Sequence, residues 1–227
     1  MAETDGRLYG RHRSHSLSQR QQALYESLLP RLRIDCAKAA PNDLGKLFAS
    51  PKSDVWLEIG FGAGEHLAWQ AQQQPDIGII GCEPYINGVA KLLSQIELDG
   101  LQNIRIFDDD ARLLFDWLPD ASIGRVFLLF SDPWPKKRHR KRRFVTLVTL
   151  DQLARIMRPD AQLRVASDVG DFVRTTLLAI QSHDDFHWLN NGPSDWRSRP
   201  SDWPETRYEQ KAIGAGRTPV YLSFARQ

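Results

Sequence analysis

The feature that most constrains this 227-residue chain is an apolar run, Val55-Trp56-Leu57-Glu58-Ile59, that breaks at once into Gly60-Phe61-Gly62-Ala63-Gly64. A short apolar run ended by glycine reads as a buried strand. Glycines at alternate positions permit positive φ and let the backbone approach a ligand closely. Leu67 to Gln73 suits a helix, so the three pieces make strand, tight turn and helix. The alternation then repeats. Ile77 to Cys82 and Ile104 to Phe107 read as strands, separated by a helical face at Ile86, Val89, Leu93 and Ile96. A short helix is expected over 111–118. Arg125 to Phe130 is the most apolar strand and therefore the central one. Phe144, Leu147, Leu150, Ala154 and Met157 mark the next helix, Leu163 to Ala166 a fifth strand, 169–181 another helix, and Val220 to Phe224 a closing strand. Strands alternating with helices predict an α/β fold with a mostly parallel sheet and helices on both faces.

Such a fold binds ligands where the turns leave the carboxyl ends of the strands. Here the turn lacks the third glycine of a dinucleotide fingerprint, because that position is Glu65. A carboxylate there is unwelcome beside a pyrophosphate. Glu83 follows Gly64 by 19 residues, at the end of the second strand, where an acid can accept from ribose hydroxyls. The two features favour a nucleoside ligand without phosphates. S-adenosylmethionine (SAM) is such a ligand, and its cationic groups suit an acidic rim of Glu58, Asp110 and Asp132. After the central strand comes Ser131-Asp132-Pro133-Trp134-Pro135-Lys136. Its prolines stiffen the loop, Trp134 offers a flat face for a base, and Lys136 offers a phosphate contact.

Charge is distributed unevenly. Residues 136–143, KKRHRKRR, hold seven Lys/Arg and no acid, enough to bring a remainder of net −5 to +2. Clustered cations beside a ligand loop point to a polyanion. A mean hydropathy of −0.44 and the absence of a long apolar run exclude a helical membrane span. No secretory signal is visible, and Cys36 and Cys82 form no CxxC, so a reduced, cytoplasmic protein without a metal site is expected. His183 and His187, four apart, lack a third ligand and read as ordinary surface residues. Residues 1–17, with Arg7, Arg11 and Arg13, are expected to form a flexible basic arm. Residues 18–227 then form one domain that opens on a helix with Ser18 and Gln21 as a capping box and Leu24, Leu28 and Leu32 on one face. Trp196 and Trp203 either stack on RNA or pin their Pro-rich stretch.

The segments LEIGFGAGEH, GCEPY, DDDA, LLFSDPWPKKRHRKRR, ASD and TRYE, in this order, resemble the bacterial tRNA (guanine-N7-)-methyltransferase family over roughly residues 53–227. The resemblance implies a Rossmann-like SAM-dependent methyltransferase fold with a seven-stranded sheet. It also implies methyl transfer from SAM to N7 of guanosine at position 46, in the variable loop of tRNA, by a monomer or homodimer. Carried over by motif, SAM contacts fall on Glu58, Glu83, Asp110 and Asp132, beside the turn glycines Gly60, Gly62 and Gly64. Substrate contacts fall on Lys136, Asp168, Thr206, Arg207, Tyr208 and Glu209, and RNA contacts on Arg138, Arg140, Lys141, Arg142 and Arg143. Asp132 is the expected catalytic residue, with Asp168 or Glu209 gripping the guanine. The chain departs from the family at Ser131, where proline is common, at Val169, where tryptophan is frequent, and at Arg207, where lysine is common.

Three other readings compete. An NAD-dependent oxidoreductase disagrees with Glu65 and with the basic run. An amino-methyltransferase with a [DNS]PP[FYW] motif disagrees with Trp134, which occupies the second proline position. A non-catalytic RNA-binding protein would have no use for the acidic rim.

Overall fold

A computed structural model describes residues 12–227. Arg7 and Arg11 of the expected arm lie outside the described residues. Residues 12–15 do not stand free. The carbonyl of His12 accepts from Ile86 N at 2.9 Å, and the Asn87 amide accepts from Ser14 N and donates to the His15 carbonyl.

The elements run α1 (Gln19–Ser27), α2 (Leu29–Leu32), a 3-10 turn (Leu44–Leu47), β1 (Asp54–Ile59), α3 (Glu65–Gln73), β2 (Ile77–Cys82), α4 (Ile86–Asp99), β3 (Ile104–Phe107), α5 (Ala111–Phe115), β4 (Ile123–Leu129), a basic 3-10 segment (Lys137–Arg142), α6 (Leu147–Ile156), β5 (Met157–Ser167), α7 (Gly170–Gln181), β6 (Phe186–Trp188), α8 (Ser194–Arg197), α9 (Arg207–Gly214) and β7 (Val220–Arg226). The Ser18 side chain caps α1 and Gln21 closes the box, as the sequence predicts.

The seven strands order β3-β2-β1-β4-β5-β7-β6. β1 to β5 are parallel, and β7 runs antiparallel between β5 and β6. The chain winds outward from β1 to β3, then returns to the other side of β1 to start β4. The strand order therefore reverses between β1 and β4, which opens a crevice at their carboxyl ends.

Strand alternation sorts side chains onto two faces. Val55, Leu57 and Ile59 of β1 pack with α5, α6 and α7. Trp56 points the other way, toward Phe127 and Trp203, and α1, α2, α3 and α4 cover Ile79 and Ile106 through Leu24, Leu29, Leu67 and Leu93. Glu58 shares the parity of Trp56 and so faces α3. No helix among the described residues is long and apolar enough to cross a membrane.

Several boundaries differ from the expectation. Phe144 lies before α6, which begins after a Thr146 cap at Leu147, and Met157 begins β5. β6 has only three residues, too few for an alternation to stand out. His183 is not a plain surface residue, because its side chain is 6% exposed and its Nε2 lies 3.1 Å from Asp151.

Candidate active site

A cleft of about 780 Å³ sits at the crevice, within the size range of small-molecule and cofactor sites. Its walls come from the carboxyl ends of β1, β2 and β4 and from the residues that follow β3, with Thr206, Arg207 and Tyr208 along one side. Among the described residues, no group of three or more His, Cys, Asp or Glu could hold a metal ion.

The glycine turn forms the floor. Gly60, Gly62 and Gly64 have φ of 72°, 58° and 81°, a region that favours glycine. α4 crosses the turn so closely that a Cβ on Gly88 would sit 2.1 Å from the Gly62 carbonyl oxygen. Glu83 anchors the turn from the β2 side. Its carboxylate accepts from Gly62 N at 2.7 Å and from Tyr85 N at 3.0 Å. Burial pushes the Glu83 carboxyl up to about 7. The two amides oppose that shift, and the nearby Asp132 and Glu58 add to it.

The acidic residues are not equivalent. Glu58 is 3% exposed, lines the cleft and accepts from His66 Nδ1 at 2.7 Å. Asp110 lines the cleft but also caps α5, accepting from Arg112 N, and pairs with the Arg112 guanidinium. Asp132 lines the cleft and is exposed.

The loop after β4 is held in an unusual shape. Phe130 and Trp134 have φ of 51° and 43°, which costs on the order of 1–3 kcal/mol for a residue with a Cβ. Arg143 holds this loop. Its side chain is 3% exposed and its guanidinium donates to the Pro133 carbonyl, to Thr175 and to Asp171. Arg143, expected on RNA, is therefore placed inside the protein, because only a buried cation can reach those partners together. Arg142 lines the cleft and lies 5.0 Å over the Trp134 ring. Arg140 pairs with Asp171 at 2.7 Å and keeps 44% of its side chain exposed. Lys136, Arg138 and Lys141 are exposed.

On the C-terminal side, Thr206 caps α9 and Glu209 completes a capping box. Tyr208 stands over the glycine turn, with its ring 3.3 Å from where a Gly62 Cβ would be. Its hydroxyl is shifted upward by burial and by the charges of Glu83 and Asp132. Glu209 was expected to grip a guanine, but it is buried against the Tyr221 hydroxyl and paired with Arg199 at 3.1 Å. Asp168 pairs with Arg217 at 2.5 Å. Gly64, Lys136, Arg138, Arg140, Lys141, Arg143, Asp168 and Glu209 are not among the cleft residues, whereas the other expected site residues are. Trp203 is 5% exposed against Phe127, Tyr221 and His66, so it pins its loop.

Two local features escaped the sequence reading. Thr206-x-x-Glu209 is a capping-box pattern, which would have placed α9 and turned Glu209 toward its own helix. His66 lies eight residues after Glu58, and nothing in the sequence ties the two until strand parity and the helix turn bring them together.

A family model described as "Putative methyltransferase" matches residues 52–222. A tRNA (guanine-N(7)-)-methyltransferase of Chelativorans sp. (strain BNC1) is 49% identical over 96% of this chain and 94% of its own length. One from Roseobacter denitrificans is 57% identical over 82% of this chain and 79% of its own. Among solved structures, the 16S rRNA methyltransferase KamB superposes with a TM-score of 0.56 at 15% identity, over 84% of this chain and 95% of that one. An rRNA methylase from Streptococcus thermophilus gives 0.53 at 10% identity, over 80% and 90%. At those identities the structures speak for the fold alone, which is the Rossmann-like methyltransferase fold.

Proposed function

Since the chain belongs to the tRNA (guanine-N(7)-)-methyltransferase family, we propose that it moves the methyl group of SAM to N7 of guanosine 46 in the variable loop of tRNA, in the cytoplasm. The observation that carries this reading is one juxtaposition. A cleft with Glu58, Glu83 and Asp132 on its walls adjoins the loop that runs straight into the exposed cations of residues 136–141.

The donor set fits SAM. Carboxylates suit its cationic groups and can accept from its ribose hydroxyls, and the glycine turn brings backbone close to the ligand. Ser131 also lines the cleft, and its buried hydroxyl has no hydrogen-bond partner among the described residues. Glu58, Glu83, Asp110 and Asp132, with Gly60 and Gly62, would hold the cofactor, and Gly64 starts the helix behind it. When bound, SAM supplies a methyl group on a cationic sulfur.

Guanine N7 carries an in-plane lone pair and no proton, so no residue must act as a base to create the nucleophile. Positioning by the cleft then supplies most of the rate, and well-oriented reactions can gain roughly 7–11 kcal/mol in this way. Methylation leaves the base cationic. Asp132, exposed at the cleft beside Tyr208, stabilises that developing charge. Tyr208 and Arg207 form the wall nearest the base. Lys136, Arg138, Arg140 and Lys141 contact phosphates, and Asp168 reaches the substrate on release from Arg217.

The test is incubation of the protein with labelled SAM and bulk tRNA lacking this modification, followed by nucleoside analysis. 7-methylguanosine is expected. Label confined to another nucleoside would overturn the assignment.

A further inference from the structure

We propose that His66 is a positioning residue that sets the orientation of Glu58 at the cofactor floor. The role rests on the reading of the cleft as a SAM site.

Glu58 cannot choose its own orientation from solvent, because its side chain is 4% exposed and it sits on the sheet face that α3 covers. His66, at the start of α3, is equally buried and meets Glu58 Oε2 with Nδ1 at 2.7 Å. The opposite ring nitrogen, Nε2, lies 3.2 Å from Gln70 Nε2. The same Gln70 nitrogen is 2.8 Å from the Asp202 carbonyl oxygen. A carbonyl can only accept, so the Gln70 atom facing it must be the NH2 group. Its second hydrogen then points at His66 Nε2, which must accept. The imidazole proton is thereby fixed on Nδ1, where it is donated to Glu58. A neutral ring with its proton on Nδ1 aims the carboxylate without cancelling its charge. The buried carboxyl group thereby gains the hydrogen bond it needs and faces the ligand in one orientation.

The ring is held from its other sides by Phe127, with centroids 4.6 Å apart, and by Trp203 at 5.9 Å. One residue earlier, Glu65 accepts from Arg207 N at 2.9 Å and pairs with its side chain. The first turn of α3 thus fixes both the cofactor floor and the segment that carries Tyr208. This is the logic by which outer groups orient the ligands that touch a cofactor.

The experiment compares His66→Phe, which keeps the ring packing and removes both hydrogen bonds, with His66→Asn, whose amide can still donate toward Glu58. For His66→Phe, the KM for SAM and the Kd for S-adenosylhomocysteine should rise at least tenfold, while kcat at saturating SAM stays within about threefold. His66→Asn should recover most of the lost affinity. Wild-type affinity in His66→Phe, or equal losses in both variants, overturns the role. Should His66→Phe not fold, the imidazole nitrogen NMR signals of the wild-type protein decide. The relay places the proton on Nδ1, and a proton found on Nε2 refutes the role. Failure of the wild-type protein to bind SAM would remove the cofactor reading and this role with it. The NMR signals report on the hydrogen-bond relay alone, so the two failures are distinguishable.

Discussion

Asp132 and Glu83 do different work in one cleft, and the difference comes from exposure. Asp132 is exposed at the cleft, and its proposed role places its charge where the base becomes cationic. Asp132→Asn should leave SAM binding measurable by calorimetry and lower turnover at least tenfold, about 1.4 kcal/mol or more in the barrier. Near-normal turnover would remove Asp132 from the mechanism. Glu83 is buried, and its pKa of about 7 lies above the unfolded value near 4.5. The folded protein therefore binds more protons than the unfolded chain between those values. Its contribution favours folding at the low end of the window and is lost as pH rises toward 7, a change on the order of 3 kcal/mol. Without SAM, Glu83→Gln should show a weaker decline in Tm between pH 5 and 7.5 than the wild-type protein. An unchanged decline would place that titration elsewhere.

The basic segment was legible as an element but not residue by residue. Seven cations in eight positions announced a polyanion site, yet composition cannot say which of them turns inward. The structure separates Arg143, which holds the loop through Pro133 and Asp171, from Arg138 and Lys141, which are exposed. Arg143→Ala should destabilise the fold by about 3 kcal/mol, the low end for breaking a buried pair, since Asp171 keeps partial access to water. Denaturant unfolding measures it, and a loss below 1 kcal/mol would show that the loop holds its shape without this arginine. Changing Arg138 and Lys141 together to Ala should leave the midpoint of unfolding alone and reduce the salt slope of tRNA binding by about 1.4–1.8. An unchanged slope would make them solvated charges only. The strands β1 and β2 were readable because each is a mostly apolar run buried along nearly its whole length, and β4 because its Val126 to Leu129 stretch is wholly apolar. β6 and α8 were not. They are short, and their positions depend on contacts such as Trp203 on Phe127 rather than on a period.

At the scale of the whole molecule, the reversal of strand order between β1 and β4 decides where chemistry can occur. It gathers Glu58, Glu83 and Asp132, which are far apart in sequence, at one end of the sheet. The sequence already showed these acids at strand ends, so the acidic wall of the cleft was foreseeable from local patterns. The opposite wall was less so, because Arg207 and Tyr208 lie in the long stretch between β6 and β7 and are held at the cleft by the ion pair of Arg207 with Glu65. In the proposed function this assembled cleft directs a methyl group to one atom, N7 of a guanine. The direct measurement uses two tRNA transcripts that differ only at guanosine 46, one with the natural base and one with 7-deazaguanosine, each incubated with labelled SAM. The natural transcript should take up one methyl per molecule and the deaza transcript none. Equal labelling of both would show that another atom receives the methyl.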